Sequence, residues 1–397
     1  MVTDIIETFI FHPPIPEAMI LELNEQQKMI RNMVRELAEK EIAPKAAERD
    51  EKSEFPFEPL KKMSELGILG AIIPEDYGGA GLDNVSYATI VEEVSRACAS
   101  TGVVTSVHNS LTAWPIMKYG TEEQKKKYLP ILAKGEKIGA FGGTEPNAGS
   151  DLGAMQTTAE LKGDKYILNG TKTFITSGPK AGLIIAFAVT DKEAGARGIS
   201  AFIVESDFKG YEVGGIFDKL GINASLQSEL IFENMEVPKE NLLGKEGEGF
   251  KIALSTLDGG RIGIAAQAVG IAQAALDMSI EYSKQREQFG RPIAKFQAIQ
   301  WMIAEMATKV EAARLLVMNA SYKKDKGERI SKEAAMAKLY AAETASWCAD
   351  QAIQIHGGYG YTKEYPVERL YRDARITSIY EGTSEVMKMV ISGTLLK

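Results

Sequence analysis

The sequence predicts an α+β protein in three parts: an N-terminal helical domain (1–136), a middle antiparallel β-barrel or sandwich (137–246) and a C-terminal four-helix bundle (247–397). Three observations carry this. Apolar residues recur at helical spacing before about residue 137 and again after about 249. Between those regions, β-rich runs follow one another at short intervals. Helices and strands do not alternate, and no GxGxxG stands between a strand and a helix, which disfavours a Rossmann sheet.

The first helix opens at Asn24 in "NEQQKMIRNMVRELAEKEI", where Gln27 completes a capping box. Met29, Ile30, Met33, Val34, Leu37 and Ile42 share one face, and Pro44 ends or kinks the run. "TEEQKKKYLPIL" repeats the capping signal with Thr121 and Gln124. "KYILNGTKTFIT" reads as a hairpin turning on Asn169-Gly170, a pair favoured in type I′ turns. "LIIAFAV", "ISAFIVE", "YEVGGIF" and "ELIFENMEV" continue the strands. From Gly249 one long helix or two run to a close at Gly290, with Pro292 just after. Further helices end at Gly327 and span Ser331 to Gly357, and a short last helix covers Glu385 to Ile391, capped by Thr383 or Ser384. Three long helices and a short one make the bundle.

Bulk properties exclude several function classes. The 397 residues are 45% hydrophobic and 25% charged, ordinary for a globular protein, and the net charge of −8 argues against a general nucleic-acid binder. Cys98 and Cys348 are far apart, each in a helix-like run, and read as buried thiols of a reducing compartment. His12, His108 and His356 are widely spaced with no HExxH or CxxC, so no metal site is expected. No apolar run reaches about 18 residues, and no membrane span is expected. "MVTDIIETFIFHPPIPEA" lacks the basic residues of a signal or transit peptide, and "TLLK" is neither a prenylation box nor a peroxisomal signal. The expectation is a cytoplasmic enzyme of a prokaryote.

Five stretches could carry chemistry. "AFGGTEPNAGSD" (140–151) is an interdomain loop on composition, or a polar wrap for a ring or phosphate edge through free N–H groups, Thr144 and Ser150. "LDGGRIG" puts Asp258 and Arg261 on one helix face, as a surface ion pair or more. Gly259-Gly260 costs that helix about 1 kcal/mol per glycine relative to alanine, which suggests a close approach to the backbone. Arg286 and Arg291 in "REQFGRPI" either compensate a helix dipole or form a phosphate fork. "QIHGGYGYT" offers Gln354, Gly357 and Gly358 at a helix end. In "YRDARITSIYEGTSE", Arg372, Asp373 and Arg375 read as salt bridges bracing a loop. On that loop stands Glu381, either a surface residue or a base at the mouth of a site.

Taken together and in order, "FGGTEPNAGSD", "NGTKTFITSG", "GEGFKIA", "LDGGRIGIAAQA", "QREQFGRPIAKFQAIQ", "QIHGGYGYTKEYPVERLYRDARI" and "IYEGTSE" resemble the acyl-CoA dehydrogenase family, in its short-chain, butyryl-CoA-like branch, from about residue 22 onward. The resemblance implies FAD, a homotetramer built as a dimer of dimers, and electron-transferring flavoprotein as acceptor. It implies that Phe141, Thr144, Ser150, Phe174, Ile175 and Thr176 line the flavin; many relatives carry tryptophan where Phe174 stands. Arg286, Phe289, Gln297, Gln354, Gly357 and Gly358 would hold FAD partly across a subunit interface, with Thr383 and Glu385 bordering it. Ser150, Asp258, Arg261, Tyr380 and Gly382 would face the acyl-CoA. Glu381 matches the family's catalytic base, which removes the α-proton of the thioester while a β-hydride passes to the flavin. Some relatives take that base from the position held here by Gly260. Gly102 stands where glutaryl-CoA relatives place an arginine, which disfavours that substrate, although Arg96 is near in sequence. Branched-chain and cyclic thioesters, an acyl-CoA oxidase, a flavin monooxygenase of the same fold, which would not need Glu381, and a flavin-free helical scaffold are the competing readings.

Overall fold

A computed structural model describes residues 22–396. Residues 1–21, with His12, and the final residue of "TLLK" lie outside the described residues.

Helix α1 (Glu25–Leu37) has the capping box: Asn24 accepts from Gln27 N and the Gln27 side chain accepts from Asn24 N. Its buried face is Gln27, Val34 and the following Ala38 and Ile42, whereas Met29 and Met33 are exposed. Ile30 and Leu37 pack against the same cluster while partly buried, so the expected stripe holds except at its Met29 and Met33 edge. A π-turn and a 3-10 turn carry the chain past Pro44 into α2 (Ala46–Lys52), so the proline sits at a bend. Then come α3 (Phe57–Glu65), α4 (Asn84–Ala97), α5 (Ala99–Ser106), α6 (Trp114–Tyr119) and α7 (Glu122–Ala133), the last with the Thr121–Gln124 capping box.

The middle strands are β1 (Ile138–Gly142), β2 (Thr158–Lys162), β3 (Lys165–Thr176), β4 (Ala181–Val189), β5 (Ile199–Glu205), β6 (Tyr211–Ile216), β7 (Gln227–Pro238) and β8 (Leu242–Leu243). They form one sheet in the order β6-β7-β3-β2-β4-β5-β8. It is not wholly antiparallel: β1 runs parallel to β4, and β2 meets β4 in parallel at Thr158 and Val189. Leu183, Ile185 and Phe187 of β4 pack towards the helices. Ile184, Ala186 and Ala188 pack with Leu168 of β3 and Phe232 of β7, where the sheet curls on itself. Burial on both faces explains the unbroken apolar run of that strand.

The hairpin expected at Asn169-Gly170 is absent. β3 runs straight through as twelve residues, with a bulge between Leu168 and Gly170. Gly170 is required by close approach, because a Cβ there would lie 2.3 Å from Thr157 Oγ1. Asn169 Oδ1 accepts from Asn234 N across the bulge. The hairpin turns instead between β2 and β3 at Gly163, with φ of 69°.

α8 (Gly249–Gln285) is one unbroken helix, and it ends before Gly290. The residues after it form a two-stranded ribbon, β9 (Glu287–Gln288) with β10 (Arg291–Pro292), turning on Phe289 and Gly290 with both φ values positive. That is the geometry expected of Asn169-Gly170, found at a different pair. α9 (Gln297–Asp325), α10 (Ser331–His356), α11 (Val367–Arg375) and α12 (Ser384–Leu395) complete the bundle. The last helix is longer than its expected Glu385–Ile391, and Thr383 is its cap, accepting from Val386 N. α8 is long and apolar enough to cross a membrane, but 83% of its most apolar stretch is buried inside the protein, as the central helix of the bundle. Alanines such as Ala265, Ala268, Ala272, Ala337 and Ala341 let these helices pack closely.

Candidate active site

Glu381 lies in the turn between α11 and α12. A 3-10 turn at Ile376–Ser378 leads in, and the Thr383 cap leads out. Between them Glu381 has φ of 52° and Gly382 φ of 101°. A left-handed glutamate costs about 1–2 kcal/mol, so the surroundings hold it there. The residue is half-buried overall, but both carboxylate oxygens are shut off from solvent and neither has a hydrogen-bond partner.

The glycines of "LDGGRIG" explain themselves here. A Cβ on Gly260 would lie 2.1 Å from Glu381 Oε2 and 2.6 Å from Leu111 Cδ2, so the carboxylate rests directly on the helix backbone. A Cβ on Gly259 would lie 2.7 Å from Lys324 Nζ. One turn on, Gly263 admits Tyr87 and Ser106, whose hydroxyls stand 3.1 Å apart.

Burial pushes the Glu381 carboxyl up to about 8, against the pull of Lys338 and Arg261. Lys338, buried on α10, donates to Gly382 O at 2.6 Å, and burial brings its ammonium down to about 8. Arg261 donates from Nη1 to Asp258 Oδ1 at 2.6 Å, and Ser331 Oγ donates to Asp258 Oδ2 at 2.5 Å. This is no surface pair: Arg261 is 5% exposed and its Nε has no partner. Tyr380 donates its hydroxyl to Gln267 Oε1 on α8. Glu385 is exposed in the first turn of α12.

A second group of residues lies where loop and sheet meet. Thr144 O accepts from Thr173 N at 2.9 Å, which brings "FGGTEPNAGSD" against the end of β3. Phe141 packs on Phe187, while Ser150 is exposed. Phe174 has φ of 57° and a half-exposed ring beside Phe217; Ile175 is buried; Thr176 Oγ1 accepts from Gln227 Nε2 at 3.2 Å. The hydroxyls of Ser177, Ser225 and Ser228 nearby are buried without partners. A presented aromatic face beside unspent donors fits a flavin ring.

A third group sits apart on the bundle. Arg286, Phe289, Gln297, Gln354, Gly357 and Gly358 are all exposed, Phe289 at 94%. Arg286 lies over the Tyr359 ring and Arg291 over Phe296, so the two arginines are not a fork in this chain. Arg372 pairs with Glu368 and with Asp50 of α2, as the salt-bridge reading required. Asp373 differs: its Oδ1 accepts from Ile222 N at 2.5 Å, and burial raises it to about 6. Arg375 donates to Ser378 rather than to an acid.

Sequence reasoning missed Lys338 and a buried pair, Lys172–Glu145, at 2.7 Å. Lys172 left a trace, since it falls within a β-rich run, whereas Lys338 lies in a long helix where a lysine gives no such signal. Glu145 also accepts from Gln156 N and Thr157 N, so it knots the loop to β3. Gly102 admits no side chain, since its Cβ would meet Ser95 Oγ at 1.9 Å, and Arg96 is engaged with Asp277 and Glu39. Among the described residues no group of three His, Cys, Asp or Glu side chains could hold a metal. His108 is buried, accepting from Gly139 N at Nδ1 and bonding Leu132 O through Nε2; burial lowers it to about 4.

Three family models match the chain: acyl-CoA dehydrogenase N-terminal domain over residues 24–136, middle domain over 140–235 and C-terminal domain over 247–396. The chain is 55% identical to the short-chain specific acyl-CoA dehydrogenase of Clostridium acetobutylicum, across 96% of this chain and 100% of that one. It superposes on butyryl-CoA dehydrogenase from Megasphaera elsdenii with a TM-score of 0.93 at 49% identity, covering 95% of this chain and 99% of that one. A chain solved in work on the electron transferring flavoprotein of Acidaminococcus fermentans gives 0.94 at 56% identity, with 95% and 99% covered. The chain belongs to the acyl-CoA dehydrogenase family of FAD-dependent oxidoreductases.

Proposed function

We propose that the protein dehydrogenates a short-chain acyl-CoA thioester, butyryl-CoA foremost, to the trans-2-enoyl-CoA, with Glu381 as the base. The observation that carries this is the Glu381 carboxylate itself: buried, without a partner, and pressed on Gly260. An unpaired buried carboxylate is costly and is kept where it has work to do. The relatives named for short-chain and butyryl substrates support the chain length. The filled space at Gly102 and the engaged Arg96 weigh against glutaryl-CoA.

Glu381 takes the thioester α-proton onto a carboxylate oxygen. The left-handed turn at Glu381 and Gly382 lets one short loop present both this carboxylate and a backbone N–H to the thioester. Asp258, Arg261, Tyr380, Gly382 and Ser150 contact the substrate. Phe141, Thr144, Ser150, Phe174, Ile175, Thr176, Thr383 and Glu385 would hold FAD from this chain, with Arg286, Phe289, Gln297, Gln354, Gly357 and Gly358 reaching it from a neighbouring copy. The exposure of that last group on a single chain supports a homotetramer. FAD, when bound, supplies the hydride acceptor. Electron-transferring flavoprotein as the onward partner is supported by the Acidaminococcus relative. A cytoplasmic setting is supported by two buried free thiols, Cys98 and Cys348.

The test is Glu381→Gln with an anaerobic butyryl-CoA titration of both proteins. Wild type bleaches the flavin absorbance promptly. The variant keeps FAD and acyl-CoA binding but loses about a thousandfold or more in turnover. Substantial turnover by the variant would remove Glu381 from the role.

A further inference from the structure

Lys338 occupies a core position of α10, three residues from Ala341 and four from Ala334, and none of its side chain reaches solvent. A buried ammonium ordinarily rests on a carboxylate. This one donates to a neutral oxygen, Gly382 O, at 2.6 Å, and among the described residues no carboxylate pairs with it. That carbonyl belongs to the residue directly after Glu381, in the turn whose two left-handed residues aim the carboxylate at Gly260.

We propose that Lys338 is a positioning residue for the dehydrogenation: its ammonium grips the Gly382 carbonyl to keep Glu381 in its left-handed turn, and supplies the counter-charge against which Glu381 ionises. This rests on Glu381 being the base. The other charged and titratable groups around Glu381 are Arg261 with Asp258 on α8, Tyr87 on α4, Tyr380 in the turn and Glu385 on α12. Arg261 is the only other cation among them, and its charge is largely met by Asp258 at 2.6 Å. Tyr87 and Tyr380 are held in the phenol form by burial, and Glu385 is exposed. Lys338 is therefore the cation whose field falls on Glu381 with least cancellation. It acts through the turn and not on the substrate.

The experiment compares wild type, Lys338→Met and Lys338→Arg as FAD-loaded enzymes, with Glu381→Gln in parallel. Lys338→Met is expected to keep FAD content and the KM for butyryl-CoA, lose about tenfold or more in kcat at neutral pH, and show its acid limb at a higher pH than wild type. Lys338→Arg keeps the cation, so its limb stays at the wild-type pH even where kcat falls. A Met variant with wild-type kcat and limb overturns the inference. Should the Met variant not fold, a limb displaced upward in the Arg variant overturns it alone. Activity in Glu381→Gln defeats the base assignment itself, whereas an inactive Gln variant beside an unaltered Met variant defeats only the role of Lys338.

Discussion

Glu381 and Gly260 are read best together. The clash that a Cβ at 260 would make with Oε2 means that Gly260→Ala must push the carboxylate aside. A shift of about 1 Å in a catalytic group costs about a hundredfold. The expected result is a fall of that order in kcat with FAD retained, measured by steady-state kinetics and flavin absorbance. The raised carboxyl also sets pH behaviour. With Glu381 pushed up to about 8, kcat/KM should climb with pH and level off above that value. Stability runs the other way. The folded protein holds this proton more tightly than the unfolded chain, whose glutamate titrates near 4.5, so stability is lost as pH rises from 4.5 through about 8. Lys338, held down to about 8, changes only above that window. Glu381→Gln should therefore gain melting temperature over wild type as pH rises, and an unchanged difference between pH 5 and pH 8 would contradict the buried state of the carboxyl. At this scale the sequence was most legible in its anomalies. Two glycines in an alanine-rich helix signalled close approach, and a glutamate beside a glycine signalled a special turn. Lys338 was not legible, because a lysine in a long helix is ordinarily a solvated residue until packing shows otherwise.

Among elements, the loop at 140–151 and β3 depend on one buried ion pair. Glu145 meets Lys172 and two backbone N–H groups, and Lys172 is fully buried with its ammonium brought down to about 8. Removing one partner of such a pair leaves the other uncompensated, at a cost of about 3–5 kcal/mol. Lys172→Met should lower the denaturation midpoint accordingly and release FAD more readily on dilution, since loop and strand lose their knot. The capping boxes at Asn24 and Thr121 were legible because they are local, made within four residues. Asn169-Gly170 was misread for the opposite reason. Its turn chemistry is sound, but Thr157 and Asn234 from other strands claim the site and convert the turn into a bulge. Phe289-Gly290 takes the left-handed pair instead, although phenylalanine gives no sequence signal for it.

The three parts of the molecule share apolar clusters, one joining α4 and α5 to α8, α9 and α10 and another joining α6 and α7 to β4, β5 and α8, and polar links add to them. Arg372 of α11 reaches Asp50 of α2, and Gln124 of α7 donates to the carbonyls of Glu240 and Leu242 ahead of the bundle. The order of helices, sheet and bundle was readable because periodicity changes sharply at each boundary. The parallel pairing of β1 with β4 was not, since register between distant segments leaves no local mark. The ribbon at 287–292 presents Phe289 almost fully to solvent in one chain. An exposed phenylalanine at a tight turn fits an assembly contact. Sedimentation should return a homotetramer for wild type, and Phe289→Asp should shift it to smaller species with loss of FAD.

The contact between Glu381 and the backbone of Gly260 also constrains descent. The two positions share one volume, so a carboxylate at either excludes a large side chain at the other. A lineage moving its base from the turn to the helix must pass through a protein with two clashing glutamates or with none. Gly260→Glu and Glu381→Gly should each abolish turnover alone, with any recovery confined to the double variant. Such sign epistasis would hold the base at the position where it already stands.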